Sequence, residues 1–254
     1  MEKVLQWGVS YKVYSFVEPF CHLRTTRRII IDKTQRYWDK QSREYDFIEH
    51  RFDPIYKQIL AKTGSYCKPG DTLLDFGCAT GTKTLELAGC CKQVIGIDFS
   101  PEMIRRAKKK CSESGVENGD FIQGTIFSEK LDSVSFDTIV AFGILHQLDE
   151  KERILQRIHH LLQPDGLFIA TTACMKDDMS LSSSIEFSLS RLFKLLHLFP
   201  LHLNLFTASE VSRLVAESGF EIVEEEVLFQ GITISFVIAK KRGQQPLHPA
   251  ASRG

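Results

Sequence analysis

The sequence predicts an α/β fold: a mostly parallel, seven-stranded sheet between two layers of helices, closed by an antiparallel C-terminal hairpin. Three observations carry this prediction. From Asp71 onward short β-type runs alternate with amphipathic helical stretches, and a parallel strand pair needs such a crossover. The last two runs are joined by Gln230-Gly231 alone, a link that only antiparallel strands can use. At 254 residues, 43% of them hydrophobic, the chain is long enough to bury one core of this kind.

In chain order, residues 73–76 form the first apolar run, and a Gly-containing turn leads into a helix over 82–90. Residues 93–97 are the second run, and 101–112 the next helix, with Pro101 in its first turn, where the missing N–H has no helical partner to lose. The third strand is 120–123. The fourth, 136–142, is β-branched at its centre. A helix over 150–162 ends at Pro164-Asp165-Gly166, which turns the chain into a fifth strand at 167–171. Thr207-Ala208-Ser209-Glu210 is a capping box for a helix over 211–218, and Gly219 stands at its C-cap. Strands at 220–229 and 232–240 make the hairpin.

The segments outside this pattern set the domain plan. Residues 1–60 read as an N-terminal helical lid, 61–242 as the ligand-binding domain, and 243–254 as a disordered tail without apolar periodicity. Within the domain, 174–206 is an apolar helical insert. Leu181, Ile185, Leu189, Leu192, Phe193, Leu196 and Phe199 fall on one helical face, which Pro200 ends.

Composition narrows the function. The 32 basic and 32 acidic residues cancel, which argues against a nucleic-acid partner, since phosphate neutralisation needs a basic excess. The seven cysteines include no CxxC and no Cys/His cluster at zinc spacing, as expected of reduced thiols in a cytoplasmic protein with no metal. The first residues lack the pattern of a signal peptide, and no apolar run has transmembrane length. Residues 1–40 carry eight basic and four acidic side chains with several aromatics, so weak association with an anionic membrane surface is one expectation. A small molecule is the expected partner.

The informative stretch is Leu73-Leu74-Asp75-Phe76-Gly77-Cys78-Ala79-Thr80-Gly81-Thr82. An apolar strand ends in an acid, and glycines at 77 and 81 let the backbone turn sharply beside a ligand. Asp98 closes the second strand 17 residues after Gly81, where a carboxylate accepts hydrogen bonds from both hydroxyls of a ribose. Phe99 and Met103 follow it, placed to pack on an adenine. The same carboxylate also suits a helix cap. A dinucleotide fingerprint would need glycines at first, third and sixth positions; position 79 is alanine here.

These residues resemble the class I S-adenosylmethionine-dependent methyltransferase family, over roughly residues 37–240. The resemblance implies a Rossmann-like fold with S-adenosylmethionine as cofactor. It places Asp75 near the methionine end, Gly77, Cys78, Ala79 and Gly81 under the methionine and ribose, and Asp98 on the ribose. Gly124 and Thr125 would meet the adenine edge, and Phe142 with Gly143 would line the floor beneath the sulfonium. Two positions depart from the family pattern. Ala79 replaces the middle glycine, which is harmless if its φ stays negative, and Thr125 replaces an aspartate. The Trp/Tyr-bearing segment Arg36–Asp46 resembles the part that folds over the cofactor, making Tyr37 and Tyr45 candidate contacts. His146, after the fourth strand, is the candidate general base or a pocket-shaping residue. The insert would build a lipophilic acceptor pocket or a homodimer interface. The expected activity is O- or C-methylation of a lipophilic or aromatic molecule; the alternatives are a non-catalytic cofactor-binding protein and a nicotinamide-dependent oxidoreductase.

Overall fold

The computed structural model describes residues 33–185, 187–188 and 203–243. The chain enters through helix α1 (33–41), α2 (Tyr45–Glu49) and α3 (Asp53–Tyr66). Strand and helix then alternate: β1 (Thr72–Phe76), α4 (Thr82–Leu87), β2 (Gln93–Asp98), α5 (Pro101–Ser114), β3 (Gly119–Gln123), β4 (Phe136–Phe142), α6 (Lys151–Leu161) and β5 (Leu162–Ala173). A helical segment at 181–185 (α7) is followed by α8 (Ala208–Glu217), β6 (Phe220–Phe229) and β7 (Thr233–Lys241).

The seven strands form one sheet in the order β3-β2-β1-β4-β5-β7-β6. Strands β1 to β5 are parallel, and β7 is antiparallel to both β5 and β6, as the short Gln230-Gly231 link requires. Strand order reverses between β1 and β4, the switch point at which open sheets of this class bind ligands. Alternation along the strands divides the core. Leu74, Phe76, Ile95 and Ile139 point toward α6 and α8, where Ile154, Ile158, Val211 and Val215 meet them. Leu73, Val94, Val140 and Phe142 point the other way, toward Ile55, Ile59 and Leu60 of α3. Among the described residues, no helix is long and apolar enough to cross a membrane.

Several expectations need adjusting. The helix over 82–90 is α-helical only to Leu87 and finishes as a 3₁₀ turn, Ala88–Cys90. Pro164-Asp165-Gly166 does not separate helix from strand. Leu162 already pairs with Phe136, and the turn bulges out of β5 before Leu167 pairs with Thr138, with Asp165 at φ 63°. The lid boundary at residue 60 falls inside α3, whose Ile55, Ile59, Leu60 and Thr63 are buried; that helix belongs to the core.

In the insert, Leu181 and Ile185 are 80% and 52% exposed. A β-bridge from Met179 to Ile232 fixes the chain's entry, and Met179 and Phe187 take the inward positions against the core. Leu189, Leu192, Phe193, Leu196, Phe199 and Pro200 lie outside the described residues, as do residues 1–32 and 244–254 of the tail.

Candidate functional site

The loop after β1 is built by its own backbone. Gly77 N and Cys78 N both donate to Ile97 O, at 2.8 and 3.1 Å, and Gly81 N closes the turn on Cys78 O at 2.9 Å. Gly77 and Gly81 have φ of 77° and 79°, in the left-handed region that glycine occupies without strain. A methyl group on Gly81 would also lie 2.7 Å from the Phe121 ring and 2.8 Å from Ala107 Cβ. Ala79 corrects the sequence reading: its φ is positive, 49°. Between two left-handed glycines the chain can turn this tightly only if residue 79 follows, at a strain of about 1 kcal/mol.

Two buried carboxylates face this loop. Asp75, 2% exposed, accepts from Thr84 Oγ1 of α4 at 2.6 Å. Asp98, also 2% exposed, accepts from Ala79 N and from Ser100 N, each at 3.0 Å on a different oxygen. It thus ties the glycine loop to the start of α5. A carboxylate has about four acceptor positions, so capping and holding two further hydroxyls are compatible roles. Ser100 caps α5, accepting from Met103 N at 3.2 Å. Met103 is itself buried, and Phe99 is half-buried between the two halves of the core. Gly124 N donates to Asp98 O at 3.0 Å, which brings 124–125 beside the carboxylate. The Thr125 hydroxyl accepts from Phe127 N at 3.3 Å.

At the end of β4, Phe142 is buried edge-on against Tyr56, with ring centroids 6.2 Å apart. Gly143 follows at φ 65°, and a methyl group there would approach the Tyr56 hydroxyl to 3.2 Å. His146 lies in the 3₁₀ turn Leu145–Gln147 and is 2% exposed. Gln147 Nε2 donates to its Nε2 at 3.1 Å. Burial pulls its pKa down to about 3, so the imidazole is neutral near pH 7 and a weak proton acceptor. Its carbonyl accepts from Asn204 N at 2.7 Å, stitching the end of the insert to this turn.

The N-terminal helices lie across the carboxyl ends of β1 and β2. Tyr37 is largely buried, which pushes its pKa up to about 12, and its ring meets Trp38 edge-on at 5.2 Å. Tyr45 is buried and donates to Glu49 at 2.7 Å; burial first, then Glu49, holds its pKa well above the usual value. Sequence reasoning missed the polar side of this segment. Asp39 accepts from Ser100 Oγ at 2.5 Å and from Glu102 N at 3.4 Å. Arg106 Nε donates to Ser42 Oγ at 3.2 Å. Asp46 accepts from Thr80 Oγ1 at 2.5 Å and Lys110 Nζ at 2.6 Å, while Glu49 pairs with Lys83. Lys83 in turn stands 4.1 Å from the centre of the Tyr56 ring. The signal was present: positions 39, 42, 46 and 49 repeat at helical spacing. Among the described residues, no group of three His, Cys, Asp or Glu could hold a metal ion.

The arrangement fits S-adenosylmethionine: buried carboxylates at 75 and 98, a tight turn between them with glycines at 77 and 81, and an aromatic ring at 142. Comparison with known proteins agrees. A family model described as a methyltransferase domain matches residues 67–217. An uncharacterised methyltransferase of Oceanobacillus iheyensis is 27% identical over 154 residues, 60% of this chain and 68% of that protein. The 2-phytyl-1,4-naphthoquinone methyltransferase of Nostoc is 30% identical over 144 residues, 55% of this chain and 61% of that one. The first four curated relatives are matched over only 53–68% of their own lengths. Among solved structures, the N-methyltransferase NodS of Bradyrhizobium japonicum, in complex with S-adenosylhomocysteine, superposes with a TM-score of 0.56 at 18% identity, covering 75% of this chain and 87% of that one. At that identity the likeness shows the fold alone.

Proposed function

The chain belongs to the methyltransferase-domain family, and on that premise we propose that it transfers the methyl group of S-adenosylmethionine to a small lipophilic acceptor, at oxygen or carbon. Bound at this site, the cofactor supplies a sulfonium methyl whose leaving thioether needs no proton. The protein's share is position and surroundings. Asp98 holds the ribose hydroxyls with the lone pairs left by Ala79 N and Ser100 N. The backbone of Gly77, Cys78, Ala79 and Gly81 runs beneath the methionine and ribose, and Asp75 lies at the amino-acid end. Phe99 and Met103 flank the adenine, with Gly124 and Thr125 at its edge. Tyr37 and Tyr45 cover the site, and Phe142 with Gly143 forms its floor. Alignment of acceptor and methyl group supplies the rate.

The observation that carries the acceptor class is the Phe142 ring, packed edge-on against Tyr56 on a sheet face whose apolar cluster also includes Met175, Met179, Phe187 and Leu203. The Nostoc relative, named for a naphthoquinone substrate, points the same way. His146 is proposed to shape this end of the pocket. With a pKa of about 3 it would deprotonate a phenol poorly, so an acceptor that reacts from an already ionised oxygen or an electron-rich carbon suits the site.

Isothermal titration with S-adenosylmethionine, beside NAD and an Asp98→Ala control, tests the cofactor assignment. Micromolar binding, weakened at least about tenfold in the control by loss of charge-assisted hydrogen bonds and absent with NAD, is the expected result. Folded protein that binds NAD and not S-adenosylmethionine would overturn it. Turnover on a panel of lipophilic phenols and quinols then tests the acceptor class.

A further inference from the structure

Amide groups pin the turn after β4. Gly143 N donates to the Thr171 carbonyl and to the Thr171 hydroxyl, each at 2.9 Å. Asn204 N donates to His146 O at 2.7 Å, and Asn204 Nδ2 donates to Leu148 O at 2.7 Å. These bonds hold the backbone at 143–148 to β5 and to the end of the insert. Gln147, which is 0% exposed, adds a side-chain clamp. Its Nε2 lies 3.3 Å from Gly143 O and 3.1 Å from His146 Nε2. A carbonyl oxygen only accepts, so the atom that faces Gly143 is the amide nitrogen. Turning the amide over would set two oxygens against each other. The second N–H of the same nitrogen is then left for His146 Nε2, which receives it on a lone pair. Gln147 Oε1 finds no donor among the described residues, so the amide keeps this orientation for the two bonds it donates.

We infer that Gln147 is a positioning residue that fixes His146 as its Nδ1–H tautomer, which makes the imidazole a hydrogen-bond donor and not a base. The reason is proton counting. A neutral imidazole carries one N–H and one lone pair, and burial keeps this ring neutral. With the Nε2 lone pair engaged by Gln147, the proton is on Nδ1. The partner of one ring nitrogen commonly sets the state of the other in this way. Asn204 restrains the carbonyl of the same histidine, so main chain and side chain are held from two directions. Neither ring nitrogen is then ready to take a proton from a methyl acceptor. That consequence rests on the methyltransferase reading above, in which this turn borders the methyl-facing end of the site. Within it, the acceptor must bring its own reactive lone pair or carbon nucleophile, already unprotonated.

Long-range proton–nitrogen correlation spectra of the imidazole rings, recorded near neutral pH on nitrogen-15-labelled full-length protein, test this. A ring nitrogen that bears a proton and one that bears a lone pair have well-separated shifts. The His146 signals are those that vanish in His146→Gln. The wild-type ring should carry its proton on Nδ1. Gln147→Leu removes the donor at similar size and should shift the ring toward the Nε2–H form, which free histidine prefers. Gln147→Glu puts a carboxylate there, which only accepts, and should bring a proton to Nε2. A residue that merely filled space would leave the tautomer unchanged in both variants. A wild-type ring protonated on Nε2, or a ring still protonated on Nδ1 alone in both variants, would overturn the inference. The spectra are recorded without S-adenosylmethionine and stand apart from the cofactor titration. Failure of that titration would count against the methyltransferase reading and leave the tautomer as measured.

Discussion

Burial denies His146 a proton that the unfolded chain accepts. Its pKa falls from the ordinary 6.5 to about 3 in the fold. Between those values the unfolded state binds one proton more, so stability is complete above pH 6.5 and declines as pH falls, by up to about 1.4 kcal/mol per unit. Urea unfolding should therefore show a loss between pH 7 and pH 5 about 2 kcal/mol larger in the wild type than in His146→Gln. Equal losses would mean that the folded protein protonates this ring. The loop glycines make a second residue-scale contrast. Gly81→Ala combines a left-handed backbone with contacts to Phe121 and Ala107 below 3 Å, and should destabilise by about 2–4 kcal/mol. Ala79→Gly relieves strain but frees the unfolded chain, and should leave the denaturation midpoint nearly unchanged.

The N-terminal helices are held to the core at the element scale by carboxylates on one side and cations or hydroxyls on the other. Asp46 with Lys110, Thr80 and Thr82, and Glu49 with Lys83, bridge α2 to α4, α5 and the glycine loop. These pairs are partly solvated and so screened by salt. Asp46→Ala should speed tryptic cleavage at Arg43 and Arg51, and about 1 M salt should bring the wild type toward the same rate; an unchanged rate would show that Trp38 and Tyr45 hold the lid alone. The βα alternation, the hairpin and the capping box of α8 were legible in the sequence because each rests on local spacing or turn chemistry. The carboxylates at 75 and 98 were legible for the same reason. The lid's partners were not, since Asp39 meets Ser100, and Asp46 meets Lys110, some sixty residues away. The positive φ of Ala79 was also hidden, because residue identity argued for the opposite sign and the two flanking glycines overrode it. The Met179–Ile232 bridge is likewise a long-range pairing that no helical periodicity reports.

On the scale of the whole molecule, one sheet gathers everything the site needs at the carboxyl ends of β1, β2 and β4. The helices before β1 return across two of those ends through Asp39, Ser42, Asp46 and Glu49. A cover anchored this way has a kinetic consequence. If these helices cover the bound cofactor, as proposed above, S-adenosylmethionine enters before they settle and its demethylated product departs after they lift. Turnover should accordingly follow a compulsory order, nucleoside first to arrive and last to leave. S-adenosylhomocysteine should compete with S-adenosylmethionine and inhibit noncompetitively against the acceptor. Initial-rate product-inhibition patterns decide this, and a random-order pattern would show that the cover opens faster than either ligand exchanges.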